Sequence, residues 1–128
     1  MKLKIDLADH YFSYYIRLRD TKCLRCGSLV VINLETGLPK SHTLSHYFGR
    51  GRESTRFDED NCITLCMGCH RIWGSDDREA YRTFMINWLG QKRFDALTIR
   101  ANQYKKKDRK MAYITAKALL NDLLKNGK

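Results

Sequence analysis

The pattern of polar and apolar positions over residues 7–19 predicts an amphipathic helix. Aromatic and apolar residues recur there at i, i+3, i+4 and i+7 and would line one face: Tyr11, Tyr14, Tyr15 and Leu18. Asp6 precedes this segment and is suited to cap its first turn. We interpret the stripe as packing surface, because an apolar face at helical spacing normally points to a core.

The same periodicity is clearest over residues 76–89. Apolar side chains recur at i, i+3, i+4, i+7 and i+8: Tyr81, Phe84, Met85, Trp88 and Leu89. Ser75 or Asp76 would cap this helix, and Gly90 would end it. Two further helices are predicted over residues 92–103 and 109–125.

Between the first helix and residue 76 the pattern changes to short apolar runs separated by turn residues. Residues 29–32 form a β-branched run that predicts a strand, and Gly37 and Pro39 mark a turn after it. Residues 40–48 would return as the second strand of a hairpin. Residues 49–56, with two glycines and three arginines, predict a loop. The expected class is therefore α+β.

Cysteine spacing adds a metal site to this picture. Four of the five cysteines form two Cys-x-x-Cys pairs: Cys23 with Cys26, and Cys66 with Cys69. Two such pairs predict a tetrahedral structural Zn²⁺ site. A thioredoxin-like redox pair is the competing interpretation, but it requires a βαβ scaffold, and no such alternation is visible. Cys62, beside an apolar residue, is most simply a small buried residue.

Length and hydropathy predict one domain of 128 residues. Its parts would be an N-terminal helix (1–22), a zinc-stabilised core (23–75), and C-terminal helices with a basic tail (76–128). No run approaches the roughly 20 apolar residues of a membrane span, and the N-terminus resembles no signal peptide. We therefore expect a cytoplasmic protein with no membrane partner, in which thiols stay reduced and are free to bind metal.

The net charge of +10 is concentrated near the C-terminus. Residues 100–128 carry nine Lys or Arg against two acidic residues, a balance of +7, whereas residues 1–99 carry only +3. Such an imbalance implies a polyanionic partner, most often nucleic acid. The alternatives are a membrane surface or a solvated lysine-rich helix. We expect Lys105, Lys106 and Lys107 to contribute to DNA binding.

Two segments resemble the HNH endonucleases, which have a ββα-metal core. They are Ser-His-Tyr-Phe-Gly-Arg-Gly-Arg-Glu-Ser-Thr-Arg-Phe-Asp-Glu-Asp-Asn, residues 45–61, and Cys-Met-Gly-Cys-His, residues 66–70. Within these enzymes the chain is most similar to the phage recombination nucleases of the NinG (Rap) type, over about residues 23–97. The resemblance implies a treble-clef-like core with structural zinc, flanked by the N-terminal and C-terminal helices. In a phage, it would work in the host cytoplasm.

The resemblance also implies a role for each motif residue. His46 would be the general base, and Asn61 would hold the active-site loop and orient His46 through a hydrogen bond to its backbone or ring. His70 would bind a catalytic Mg²⁺ or Mn²⁺. The implied activity is hydrolysis of DNA phosphodiester bonds, by nicking or cleavage, in branched recombination intermediates. Cleavage of both strands or of junctions would favour a homodimer.

The arginine-rich loop and two departures from the family complete the expected site. Arg50, Arg52 and Arg56 would contact phosphates. Many HNH enzymes have an aspartate or histidine ligand just before the base, but this chain has Ser45, so the ion would rely on His70, water and substrate phosphate, with help from a group such as His42. NinG-type sequences also often carry asparagine at the position of His70. The alternative function is a catalytically inactive zinc-stabilised nucleic-acid-binding module.

Overall fold

The computed structural model describes residues 6–103 and 108–126. Within these ranges the chain forms helices around one two-stranded sheet, which confirms the predicted α+β class. The helices and strands are α1 (Leu7–Asp20), β1 (Thr43–His46), α2 (Glu53–Arg56), β2 (Cys62–Leu65), α3 (Met67–Arg71), α4 (Arg78–Leu89), α5 (Gln91–Ala101) and α6 (Arg109–Asn126). The predicted loop over residues 49–56 thus ends in a short helix.

Helix α1 begins where the sequence predicts, but it buries a different face. Asp6 Oδ1 accepts the backbone N–H of Ala8 at 2.9 Å, as a capping residue does. The buried positions are Ala8, Phe12 and Ile16, spaced four residues apart. The predicted tyrosine stripe lies beside this buried face: Tyr11 and Tyr15 pack against the cluster as half-buried side chains, and Tyr15 keeps its hydroxyl on Glu59 at 2.8 Å. Phenol groups favour such an edge, because the hydroxyl needs a partner.

Helix α4 starts two residues later than predicted. Residues Ile72–Asp76 form a π-helical turn first, and Asp77 then caps α4 by accepting a backbone N–H at 3.0 Å. The predicted caps, Ser75 and Asp76, belong to the turn instead. Gly90 ends the helix with φ +85°, as predicted, because glycine adopts this conformation without strain.

The predicted pairing of strands is wrong. Strand β1 pairs antiparallel with β2, with His46 opposite Cys62, and not with residues 29–32. The 21–40 segment makes only isolated bridges, Lys22 to Leu29 and Ile32 to Pro39. Burial explains the choice, because all four residues of β2 are fully buried, whereas Leu29, Val31 and Leu34 are exposed. Strand β2 therefore gives β1 a buried pairing partner, which the segment that contains Leu29, Val31 and Leu34 does not.

Strand β2 separates two apolar clusters by the alternation of its side chains. Ile63 and Leu65 pack with α3, α4 and α5 in the larger cluster. Cys62 packs with Phe12 and Ile16 of α1 in the smaller one, so it is the small buried residue that the sequence predicts. The strand thereby fixes α1 on one side and the cysteine-bearing helix α3 on the other.

Helix α6 completes the smaller cluster by packing on α1. Ala116 and Leu120 are buried, and Tyr113 meets Tyr11 edge to face with ring centroids 5.4 Å apart. This apolar side agrees with the pattern predicted for residues 109–125. Across residues 6–103 and 108–126, no helix combines the length and the apolar character needed to cross a membrane.

Candidate functional site: a four-cysteine cluster and a histidine cleft

The two Cys-x-x-Cys pairs meet in space. The four sulfur atoms of Cys23, Cys26, Cys66 and Cys69 all lie within 4.8 Å of one another, and the Cys26 and Cys66 sulfurs are 3.8 Å apart. Tetrahedral zinc with bonds of about 2.3 Å places its sulfur ligands about 3.8 Å from one another. The four thiols therefore fit a structural metal ion such as zinc, as the sequence predicts.

Local backbone contacts orient the sulfur atoms. Gly27 adopts φ +82°, which lets its N–H reach the Cys23 carbonyl at 2.9 Å and closes the first turn. The Cys26 N–H points to the Cys23 sulfur at 3.4 Å, and Arg25 Nη1 lies 3.3 Å from the sulfur of Cys69. Donors around thiolates stabilise their negative charge and fix their direction.

The thiols differ in acidity. The hydroxyl of Ser28, 3.3 Å from the Cys26 sulfur, lowers the pKa of Cys26 to about 6. Burial raises the pKa of Cys69 to about 12. Zinc binds the thiolate form of cysteine, so the lowered pKa of Cys26 favours metal binding and the raised pKa of Cys69 opposes it.

Beside the cysteine cluster lies an open cleft of about 580 Å³. His46, at the end of β1, and His70, on α3, both line it, so residues far apart in the sequence share one cavity. The lining contains two histidines and two arginines but no carboxylate: Ser45, His46, Tyr47, Gly49, Met67, His70, Arg71, Gly74, Ser75 and Arg78. Such a lining favours an anionic ligand.

His46 is held in one tautomer. Its Nε2 lies 2.9 Å from the carbonyl oxygen of Arg56. Because a carbonyl can only accept a hydrogen bond, Nε2 carries the proton and Nδ1 keeps its lone pair. Burial lowers the pKa of His46 below its ordinary value of 6.5. The ring is therefore neutral at pH 7 and able to accept a proton.

His70 has unused ligand capacity. Its Nδ1 is buried without a hydrogen-bond partner among the described residues. Its backbone N–H donates to the carbonyl of Cys66 at 2.8 Å, which ties this histidine to the cysteine cluster through one turn of helix. An unsatisfied buried ring nitrogen costs free energy, and the described residues give this nitrogen no compensating contact.

Asn61 braces the chain that follows His46. Its Oδ1 accepts the N–H of Phe48 at 2.8 Å, and its Nδ2 donates to the carbonyls of Phe48 and Thr55, both at 3.0 Å. The side chain is fully buried and uses three of its hydrogen-bonding positions. The expected hydrogen bond from Asn61 to the backbone or ring of His46 is not formed; its contacts fall on the two ends of the loop instead.

Ser45 and His42 take no part in the cleft as metal ligands. Ser45 Oγ is buried and lies 2.8 Å from the hydroxyl of Tyr81. His42 Nε2 contacts Ser28, and its Nδ1 contacts Ser41 at 2.8 Å, outside the cleft lining. Among the described residues, the cysteines form the one cluster of three or more potential metal ligands. Of the described residues that line the cleft, His46 and His70 are the two whose imidazole could bind a metal ion.

The predicted DNA-contact arginines differ in availability. Arg56 is 9% exposed, and its guanidinium is enclosed by Asp9 and Glu53, which leaves it little access to phosphate. Arg50 remains exposed and pairs with Asp9 at 2.8 Å. Arg52 is exposed and reaches Asn102 Oδ1 at 2.8 Å. Lys105, Lys106 and Lys107 lie outside the described residues.

Sequence reasoning missed two residues of this site. The sequence places Tyr81 on an apolar helix face, but its hydroxyl lies 2.8 Å from the hydroxyl oxygen of Ser45. Arg78 was not singled out, although it lines the cleft and donates from Nη2 to the carbonyl of Tyr47 at 2.8 Å. No local motif marks Arg78, because its hydrogen-bond partner, Tyr47, lies far away in the sequence. The sequence signal that remains is its position at the start of a helix.

The chain matches a known protein family. The model of the bacteriophage lambda NinG protein family matches residues 2–126. The chain belongs to the NinG family. No curated protein and no solved structure gives a significant match. The predicted NinG type is therefore confirmed, and NinG membership agrees with a recombination-related role in a bacteriophage.

The NinG match is longer than the segment that carries the HNH resemblance. It includes all of α1 and α6, whereas that resemblance covers only about residues 23–97. The flanking helices are thus part of what NinG proteins share. This agrees with the packing of α1 and α6 against the strand that borders the cysteine cluster.

Proposed function

We propose that this protein is a metal-dependent endonuclease that hydrolyses DNA phosphodiester bonds. The observation that carries the proposal is the meeting of His46 and His70 in one cleft. The order of elements supports an HNH assignment. Strand β1 ends in His46, β2 follows Asn61, and α3 carries Cys69 of the cysteine cluster next to His70 of the cleft. This is the arrangement expected of a ββα-metal core.

In this proposal His46 is the general base. With the proton on Nε2 fixed by the Arg56 carbonyl, Nδ1 accepts a proton from the attacking water. The lowered pKa keeps this nitrogen free at neutral pH. Asn61 holds the loop that contains Arg56, so the carbonyl that selects the tautomer stays in place.

His70 would hold the catalytic Mg²⁺ or Mn²⁺ together with phosphate oxygens of the substrate. Bound there, the ion would stabilise the charge that develops on the phosphate and the leaving oxygen. The protein alone supplies too few oxygen ligands for tight binding of a hard cation. We therefore expect the ion and the DNA to bind with positive cooperativity.

DNA is the proposed substrate because of the charge of the chain and of the cleft. The net charge is +10, and the exposed Arg50 and Arg52 follow β1 directly, on the same loop as the cleft residue Gly49. In the context of the NinG family we propose branched recombination intermediates in the host cytoplasm. Arg56 belongs to the loop's internal support rather than to this surface.

Nicking of supercoiled plasmid in the presence of Mg²⁺ or Mn²⁺ tests the proposal. We expect the wild-type protein to nick, and His46→Ala to lower the rate by at least about 10²-fold because the base is lost. His10→Ala is the matched control, since His10 lies on α1 outside the cleft lining. Absence of nicking with every divalent metal, or undiminished nicking by His46→Ala, would refute the assignment.

A zinc-stabilised DNA-binding module is the second candidate. It is favoured by the carboxylate-free cleft, whose arginines would bind phosphate without cutting it. Such a module would bind DNA with equal affinity in the wild type and in His46→Ala, and neither would nick. The plasmid assay and a binding titration on the same two proteins therefore separate the candidates.

A further inference from the structure

We propose that Arg78 is the residue that binds the scissile phosphate in the histidine cleft. This inference rests on the proposed nuclease function and adds to it a substrate-contacting residue that the motif does not contain. Arg78 is the first residue of α4 and lines the cleft with His46 and His70. A guanidinium can bind two phosphate oxygens at once through its planar fork.

The side chain of Arg78 is oriented before any ligand arrives. Its Nη2 donates to the carbonyl of Tyr47 at 2.8 Å. Its guanidinium carbon lies 4.8 Å from the ring centroid of Tyr47 and 5.4 Å from that of Tyr81. Tyr47 directly follows His46 in the chain. The residue that orients Arg78 is therefore the neighbour of the proposed base. Preorganised charge of this kind stabilises a reacting phosphate without reorganisation.

The charge of Arg78 is not neutralised by the protein. Most arginines with close polar contacts are paired: Arg50 and Arg56 with Asp9, Arg93 and Arg100 with Asp60. Among the described residues Arg78 forms no ion pair. The adjoining Asp77 uses its carboxylate as the cap of α4. With one N–H on Tyr47, the remaining donors are available to an anion.

Arg78 is needed for phosphate binding because the described residues of the cleft offer a metal ion few ligands. The hydroxyl of Ser45 is hydrogen-bonded to Tyr81, and none of the described residues that line the cleft carries a carboxylate. The protein must therefore supply positive charge to the phosphate by other means. Arg71 also lines the cleft but has no hydrogen bond that orients its side chain among the described residues. The geometry therefore assigns general attraction to Arg71 and positioning of the phosphate to Arg78.

The chain offers a matched control on the same helix. Arg82 lies one turn after Arg78 on α4, over the ring of Phe94 at 5.6 Å, and does not line the cleft. Arg82→Gln removes the same charge from the same helix. Arg78→Lys keeps the charge but loses the fork and the stacking on the tyrosines.

The first experiment measures nicking kinetics of the full chain with Arg78→Gln, Arg78→Lys and Arg82→Gln. We expect Arg78→Gln to lower kcat by roughly 10²-fold, Arg78→Lys by about tenfold, and Arg82→Gln by less than about twofold. Thermal melting and zinc content should be the same in all four proteins. A raised KM for Arg78→Gln with kcat unchanged would overturn the proposal, because a contact to the scissile phosphate must contribute to the chemical step.

The second experiment separates failure of this inference from failure of the nuclease assignment. Affinity for a short DNA duplex is measured against salt concentration without added divalent metal, where no cleavage is needed. We expect Arg78→Gln to weaken binding and to reduce the salt slope by about one phosphate contact, with Arg82→Gln unchanged. Equal behaviour of the two variants would refute the phosphate contact even if the wild type nicks DNA. If the wild type fails to nick but the expected binding difference is present, the nuclease assignment and the scissile character of the phosphate are refuted together, and Arg78 remains a phosphate contact of a DNA-binding module.

Discussion

The cysteine cluster and the histidine cleft lie on either side of helix α3, but they differ in how completely the protein builds them. The cluster brings four sulfur ligands within 4.8 Å of one another and surrounds them with donors. The cleft is lined by two histidines and two arginines. The cysteine cluster is complete in the folded chain, whereas in the proposed function the cleft is completed by the phosphate of the substrate. On that proposal a structural ion binds before function begins, and a catalytic ion binds together with the substrate.

Loss of a zinc ligand should give the largest effect. Cys69→Ser removes one of the four sulfurs, and structural zinc contributes about 10 kcal/mol or more to folding. This matches the whole stability of a typical domain, about 5–15 kcal/mol, so we expect an unfolded protein with no stoichiometric zinc. Circular dichroism and metal analysis check this. Cys62→Ala is the control, since Cys62 is buried outside the cluster; if it loses zinc as well, the ligand set is wrong.

Asn61→Asp should give the next largest effect, through the loop rather than the metal. The change removes the Nδ2 donor from two backbone carbonyls and buries a carboxylate, at a cost of about 3 kcal/mol or more. Urea unfolding measures the loss. Zinc content should stay at the wild-type level, because Asn61 contacts no cysteine of the cluster. Unchanged unfolding would show that the loop is held by other contacts.

The acidic limb of the pH profile should report the base of the cleft. The neutral form of His46 is the active one, and burial lowers its pKa below 6.5, so the rate should be constant near pH 7 and above. As the pH falls through the lowered pKa, the rate should drop by about tenfold per pH unit. Single-turnover nicking from acid to neutral pH measures this. A midpoint above 6.5 would contradict the assigned environment of His46.

Ser45→Ala should give the smallest effect and tests directly whether the cleft lacks a second ligand. The hydroxyl contacts Tyr81 in the interior, so its loss should cost about 1 kcal/mol of stability. The Mg²⁺ or Mn²⁺ concentration for half-maximal nicking should not change. Tyr81→Phe removes the same hydrogen bond from the other side and should behave alike. A raised metal requirement in Ser45→Ala alone would make Ser45 a ligand.

The helices and the cysteine cluster could be predicted from the sequence because their signals are local. Apolar periodicity predicts α1, α4, α5 and α6 to within a few residues, and Cys-x-x-Cys spacing predicts the four cysteines that the structure brings together. The pairing of β1 could not be predicted in this way. Strand β2 is only four residues long and is buried on both faces, so it shows no alternation of polar and apolar side chains.

The residues of the cleft likewise fall into those that a local sequence motif predicts and those that depend on tertiary contacts. His46, Asn61 and His70 stand in a recognisable series, and the structure brings the two histidines together. The roles of Arg56 and Arg78 depend on partners from distant elements, Asp9 on α1 and Tyr47 after β1. The sequence predicts phosphate contact for Arg56 and not for Arg78, and only tertiary packing shows that Arg56 is enclosed and Arg78 is exposed.

One ion pair has a consequence for how this chain can be shortened or exchanged. Arg56 supplies the carbonyl that holds His46, and its side chain is fixed by Asp9 of the first helix. Glu53, which also holds Arg56, is in turn paired with Arg109 of the last helix at 2.8 Å. We therefore expect that an isolated 23–97 fragment would lose the alignment of its base. The unit that recombination between phages can transfer intact would be nearly the whole chain.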